Sequence, residues 1–183
     1  MPVALVTHAD CVLHEMGMHH PESPERLKAV LDALDASGFG GGLAEHEAPL
    51  AQAAELARVH AETHIDTVRA ASPEDDYAYL DPDTSMNRMS LAASLRAAGA
   101  VVSATNLVLE GAATRAFCAV RPPGHHATPA RAMGFCIFNN VAVGVAHALE
   151  RHGLERVAII DFDVHHGNGT EDMFRGDPRV MFC

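Results

Sequence analysis

Apolar positions in this chain fall into short continuous runs, separated by longer stretches in which apolar residues recur at helical spacing. Val3–Thr7 reads as a first buried strand, 115–120 as a second, 156–163 as a third, and 179–183 begins a fourth. Between the first two, Ser23 is placed to cap a helix with Pro24 at its first position. That helix runs to about Ser37, where Gly38 and the Gly40–Gly42 run stop it. Residues 53–60 and 63–71, the latter capped by Thr63, predict short helices, and DPDTSMN (81–87) predicts a loop. An Ala/Leu-rich helix then spans roughly 88–110 and stops at Gly111, its apolar stripe assigned to core packing. Further helices are expected over 140–152 and 170–174. Strands alternating with helices imply βαβ units, a parallel sheet and one α/β domain over 1–183.

Composition narrows the partners. The formal charge is −11, from 13 basic and 24 acidic residues, with no basic patch, which argues against direct nucleic-acid binding and favours cationic substrates by long-range attraction. Four cysteines (11, 118, 136, 183) show no CxxC spacing, so a reducing, cytoplasmic setting is expected. No apolar run is read as long enough to span a bilayer and no signal peptide is evident, so no membrane partner is expected; a homo-oligomer is compatible with the sequence.

Chemistry concentrates at two strand ends. The 156–163 strand ends in Asp161 and Asp163, and His165 and His166 follow, then Gly167 and Asn168. In an extended segment Asp161, Asp163 and His165 project to one side and Phe162 and Val164 to the other. Carboxylate and imidazole are natural ligands for zinc or a similar divalent ion. After the 115–120 strand, Pro122-Pro123-Gly124 forbids both helix and continued pairing, which leaves His125 and His126 on a rigid loop. Adjacent histidines make a poor helical chelate but a good proton-transfer pair. Gly134 and Phe135 offer a close backbone approach and an aromatic wall, suited to a substrate channel. Cys136 reads as buried packing. His14, Glu15, His19 and His20 read as a rim loop rather than a separate metal site. Asp81 and Asp83 fit either turn chemistry or a grip on a substrate backbone. His60 and His64 read as surface or packing residues.

Together, HPESPERL (20–27), RPPGHHA (121–127), GFCIFNN (134–140) and DFDVHHGNGT (161–170) resemble the zinc-dependent histone deacetylase family, its class II branch and bacterial acetylpolyamine or acetoin-utilisation relatives most of all. The resemblance implies a three-layer αβα fold with a mostly parallel central sheet, cut short on its C-terminal side. It also implies an amidohydrolase that removes acetyl groups from acetyl-lysine proteins or acetylated polyamines. Under it, Asp163 and His165 ligate Zn2+ (Fe2+ being the other candidate), His126 is the general base and His125 its partner. Asp161 orients His125 and helps hold a structural K+, while His166 and Asn168 support the site and Gly134 and Phe135 line the channel. Asn168 stands where some members carry an aspartate. The family's third metal ligand and its oxyanion-stabilising tyrosine or histidine lie further downstream, and Tyr77 and Tyr79 come too early to replace them. The other reading is a truncated module that binds metal or acylated ligands without turnover.

Overall fold

Parallel strands wrapped by helices form the frame, as the alternation implies. The structure, a computed structural model, describes residues 2–39 and 42–183. Val3–Thr7 (β1) pairs in parallel with Leu43–Glu47 (β2) on one side and Arg115–Ala119 (β5) on the other. Helix Pro24–Ala36 (α1) covers one face of this sheet, where Leu27, Leu31 and Leu34 pack with Leu5 and Ala119. Helix Ser90–Leu109 (α4) covers the other, where Ala100 and Ala104 meet Val6 and Ala48. Successive residues Leu5 and Val6 therefore enter opposite cores, and β1 is the middle of three layers.

A second parallel pair, Val157–Ile159 (β6) with Val180–Phe182 (β7), packs on Asn140–Arg151 (α5) and Asn168–Phe174 (α6). Among the described residues the parallel strands therefore form two pieces: β5 bonds β1 alone, and β6 bonds β7 alone. Facing edges of β5 and of the Asp163–His165 segment line one cleft of about 880 Å3. Phe117 and Ile160 lie exposed near these open edges.

Several elements differ from the sequence expectation. Strand β2, with its polar sequence LAEHE, is an edge strand and carries little apolar signal. The expected loop at 81–87 is half of an antiparallel hairpin, Ala78–Asp81 (β3) with Thr84–Met86 (β4), whose turn is Pro82-Asp83. Ser23 sits at the N-cap of α1 but makes no capping side-chain bond. The helix expected over 53–60 is only Ala53–Leu56 (α2). Ala61, not Thr63, precedes Glu62–Ala70 (α3), and the Thr67 hydroxyl bonds the Thr63 carbonyl within that helix. Helix α1 ends at Ala36 with Gly38 just beyond it; Gly40 and Gly41 lie outside the described residues. Contrary to the expectation of no spanning run, α4 is long and apolar enough to cross a membrane by length and composition. Its small residues Ala93, Ala97, Ala98, Gly99 and Ala100 are buried against β1, β5 and α5, which accounts for that apolarity by core packing.

Two buried histidines couple this fold to pH. His14 Nδ1 bonds Ser90 Oγ at 2.7 Å, and burial, with Arg121 and His20 nearby, pushes its pKa down to about 3. Glu22 stands 3.7 Å from His14 Nε2, but Arg121 already neutralises that carboxylate, so it does not hold a proton on the ring. Burial beside His64 pushes His60 down to about 4. Both folded values lie below the ordinary 6.5, so the unfolded chain takes up protons that the folded chain refuses. The stabilisation is full above about pH 6.5 and lost as pH falls toward 4. Urea midpoints of the whole chain should decline steadily from pH 7 to pH 4.5; a flat profile across that window would contradict this assignment.

Candidate active site

Arg121, at the end of β5, anchors the loop that carries the histidine pair. Its guanidinium embraces the buried Glu22 carboxylate, with Nε donating to Oε1 at 2.6 Å, and donates to the carbonyls of Cys11 (2.9 Å) and His14 (3.0 Å). All five guanidinium donors have a planar geometry suited to this kind of convergence. The segment from Cys11 to Glu22 is thereby tied to the strand end.

His125 and His126 lie side by side with ring centroids 4.1 Å apart. His125 Nδ1 donates to Asp161 Oδ2 at 2.9 Å, and His126 Nδ1 donates to Asn168 Oδ1 at 2.6 Å. The amide orientation of Asn168 fits, because its Nδ2 faces Met133 Sδ at 3.7 Å. Each ring therefore keeps Nε2 free to accept a proton, one backed by a carboxylate and the other by a neutral amide. Gly167 is required here. A Cβ on it would overlap Asp161 Oδ2 and press on Phe182, so only glycine lets the second strand end approach the His125–Asp161 pair.

The expected alternation of Asp161, Asp163 and His165 along a strand does not occur, because β6 ends at Ile159. The carboxylates themselves redirect the backbone: Asp161 Oδ1 accepts from the Asp163 amide (3.2 Å) and Asp163 Oδ1 from the His165 amide (2.8 Å). Asp163 and His165 still converge, with His165 Nδ1 3.1 Å from Asp163 Oδ1 and the His165 ring centroid 6.0 Å from that of His126. The His165 amide, joined by its ring, holds the Asp163 carboxyl below the usual range. Both side chains are open to solvent, at 49% for Asp163 and 73% for His165. Among the described residues no group of three His, Cys, Asp or Glu side chains is gathered closely enough to hold a metal ion. Phe162 and Val164 point into solvent, 95% and 94% exposed. His166 turns away and pairs with Glu171 at 2.8 Å.

Gly134 and Phe135 lie on the same cleft as His125 and His126. Both adopt left-handed backbone, φ +57° and +68°. A side chain at Gly134 would collide with the His126 ring. Phe135 has no such freedom, and the hairpin turn holds it: Thr84 Oγ1 accepts from its amide at 2.9 Å, and Asp83 Oδ1 accepts from the Gly134 amide at 3.2 Å. The His20 ring packs edge-on against Phe135 at 4.6 Å. Asp83 thus serves turn chemistry and the wall of the cleft together, while Asp81 approaches Arg131 at 3.6 Å.

Of the N-terminal group, His14 is buried, Glu15 and His19 are exposed, and His20 packs against Phe135. His60 and His64 are buried, the packing alternative. Cys136 is fully buried and its thiol is pushed up to about 12, so it is packing and no nucleophile. Sequence reasoning missed Arg121, Glu22, Thr84 and Asn139. Arg121 and Glu22 are buried charges, which only pairing makes tolerable, and nothing local in the sequence shows the pairing.

The protein is α/β, and at its strand ends two adjacent imidazoles lie beside an Asp–His pair whose side chains are of metal-ligand type. The histone deacetylase domain matches residues 20–183. The chain is 38% identical to the polyamine deacetylase HDAC10 of Homo sapiens, over 100% of this chain and 29% of that one. It is 41% identical to a histone deacetylase-like amidohydrolase of Pseudomonas aeruginosa, over 85% of this chain and 40% of that one. The crystal structure of the HDA15 HD domain superposes with a TM-score of 0.91 at 36% identity, covering 100% of this chain and 53% of that one. The chain belongs to the histone deacetylase family, and it spans about half or less of the length of these relatives.

Two outcomes check this geometry. Gly167→Ala should cost about 1–3 kcal/mol in urea unfolding, since either Asp161 or Phe182 must move; a cost near zero would mean that the approach is slack. Iodoacetamide at pH 8 should label the exposed Cys183 well before Cys11 and Cys136, read by peptide mass spectrometry.

Proposed function

We propose that this chain supplies the proton-transfer pair and two metal ligands of a deacetylase acting on acetyl-lysine side chains or acetylated polyamines. The observation that carries this reading is the arrangement of two neighbouring imidazoles, each with its Nδ1 engaged and its Nε2 free, beside Asp163 and His165. Names of the relatives, one a polyamine deacetylase and another a histone deacetylase-like amidohydrolase, support the substrate class.

Asp163 and His165 would hold a zinc or iron(II) ion, which when bound polarises an acyl carbonyl and acidifies water. Three protein ligands are the rule for catalytic zinc, so the donor set within this chain is incomplete by one. In this reading the third donor and the oxyanion-stabilising tyrosine or histidine enter the cleft between β5 and the Asp163–His165 segment. That cleft is bounded by Phe117–Arg121 and Asp163–His165, and it would be filled by the part of the domain that the chain does not span. His126 Nε2 takes a proton from water, and the Asn168 carbonyl keeps the ring in the required tautomer. Asn168 cannot ionise, so it adds no charge that would retain the proton on His126. His125, held by the Asp161 carboxylate, is the group assigned to protonate a departing amine. A monovalent cation beside Asp161 would share oxygens already bonded to His125 and to the Asp163 amide, so we assign it no part in the proton transfers. Phe135 and His20 would flank the acyl chain.

The second reading, a binding module without turnover, is favoured by the solvent exposure of Asp163 and His165. Hydrolysis of a fluorogenic acetyl-lysine peptide and of an acetylated polyamine, with and without a chelator, separates the two. Turnover that the chelator abolishes, and that His126→Ala lowers by about 10²–10⁴-fold, supports the enzyme. A folded chain with no turnover on either substrate supports the module.

A further inference from the structure

From Arg121 to Asn139 the backbone that presents His125 and His126 contains neither helix nor strand, so side chains behind it must set its shape. His60 closes this segment from the rear. Its Nδ1 lies 3.1 Å from the Thr128 carbonyl, which can only accept, so Nδ1 carries the proton. The Asn139 amide donates to its Nε2 at 2.9 Å, so Nε2 is bare. One neutral tautomer makes both bonds; the other tautomer loses both, and the imidazolium loses the bond from Asn139. Next along the chain, the Ala61 amide donates to the Pro129 carbonyl at 2.8 Å. The ring is buried between His64 and Phe138, with centroids at 5.0 and 5.5 Å.

The network continues from Asn139 toward the site. The Asn139 side-chain amide donates to the Ala127 carbonyl at 3.2 Å and to Thr170 Oγ1 at 3.0 Å. The Thr170 amide donates to the His125 carbonyl at 3.1 Å. Two bonds made by one buried imidazole therefore join both arms of the loop, and Asn139 links them to the segment that carries Asp161 and Asn168.

We infer that His60 is a positioning residue for the His125–His126 pair, acting through Asn139 and Thr170 and requiring the Nδ1-protonated tautomer. Among the described residues no hydrogen bond or ring contact joins it to either histidine of the pair. The inference rests on the deacetylase reading only for what the pair does; the bonding pattern stands without it. His64 is the titratable neighbour of the ring, while Thr128, Phe138 and Asn139 are neutral. The depressed pKa of His60 agrees with a ring that stays neutral.

Long-range proton–nitrogen correlation of the histidine rings at pH 7, together with amide hydrogen exchange, tests this on the intact 183-residue chain, on His60→Phe and on His60→Asn. The wild-type spectrum should show His60 protonated at Nδ1 and accepting at Nε2. His60→Phe keeps an aromatic ring of similar size and makes neither bond. It should raise exchange at the Asn139 amide about tenfold or more and shift the ring signals of His125 and His126 while far-UV circular dichroism is unchanged. If His60→Phe does not fold, His60→Asn retains a donor toward Thr128 and isolates the lost bond to Asn139, with the same readouts. None of these measurements uses turnover, so failure of the deacetylase reading leaves them intact. A wild-type ring protonated at Nε2 would overturn the inference. So would a folded variant whose Asn139 exchange and His125 and His126 signals match wild type.

Discussion

Everything in this molecule that bears on chemistry depends on satisfying the polar backbone of one irregular segment, 121–139, without sheet or helix. Arg121 anchors its start to Glu22 and to the carbonyls of Cys11 and His14. His60 bridges Thr128 and Asn139, His64 Nε2 donates to the Ile137 carbonyl at 3.0 Å, and Asn140 Nδ2 donates to the Pro122 carbonyl at 3.0 Å. These are buried polar side chains in an otherwise apolar setting, each costly alone and tolerable only when bonded. Their combined effect is a rigid platform at the end of β5 on which two adjacent imidazoles can be aimed.

The platform gives the histidines different characters. A carboxylate oxygen of Asp161 accepts from His125 Nδ1 and an amide oxygen of Asn168 from His126 Nδ1, so each ring is held in one tautomer by a different partner. The Asp161 that backs His125 comes from the far strand end, reached only because Gly167 leaves room for it. The metal-type pair Asp163–His165 belongs to the same turn, but its support is one-sided. It faces the cleft that β5 also borders, and among the described residues β5 and β6 each have one pairing partner. The open edges and the exposed Phe117 and Ile160 are two faces of a single fact: among the described residues two pieces of parallel sheet stand near the site without pairing.

Much of this was legible along the chain. The strand-like runs at 3–7 and 115–120, the Pro-Pro-Gly break before His125, and the helices over 24–36 and 90–109 follow from periodicity and from residues that fix or free the backbone. The motifs carried the family, which the comparisons bear out. Other features were not legible because their signals are not local. Edge strand β2 is polar, since an edge need not be apolar on both faces. The β3–β4 turn reads as a loop until Thr84 and Asp83 are seen to hold Phe135 and Gly134. The spacing of Asp161, Asp163 and His165 suggests a strand, yet each carboxylate captures a nearby amide and bends the chain instead.

The sequence by itself determined the residue types, the strand and helix succession and the placement of both histidine pairs just beyond apolar runs. Those properties depend on short-range sterics and on burial of one face, both of which are written locally. Only the tertiary structure decided which atoms meet: Arg121 with Glu22 across 99 positions, His125 with Asp161 across 36, and His60 with Asn139 across 79. Hydrogen bonds between distant residues depend on how layers pack. A polar side chain looks the same in sequence whether it faces water or closes a buried network.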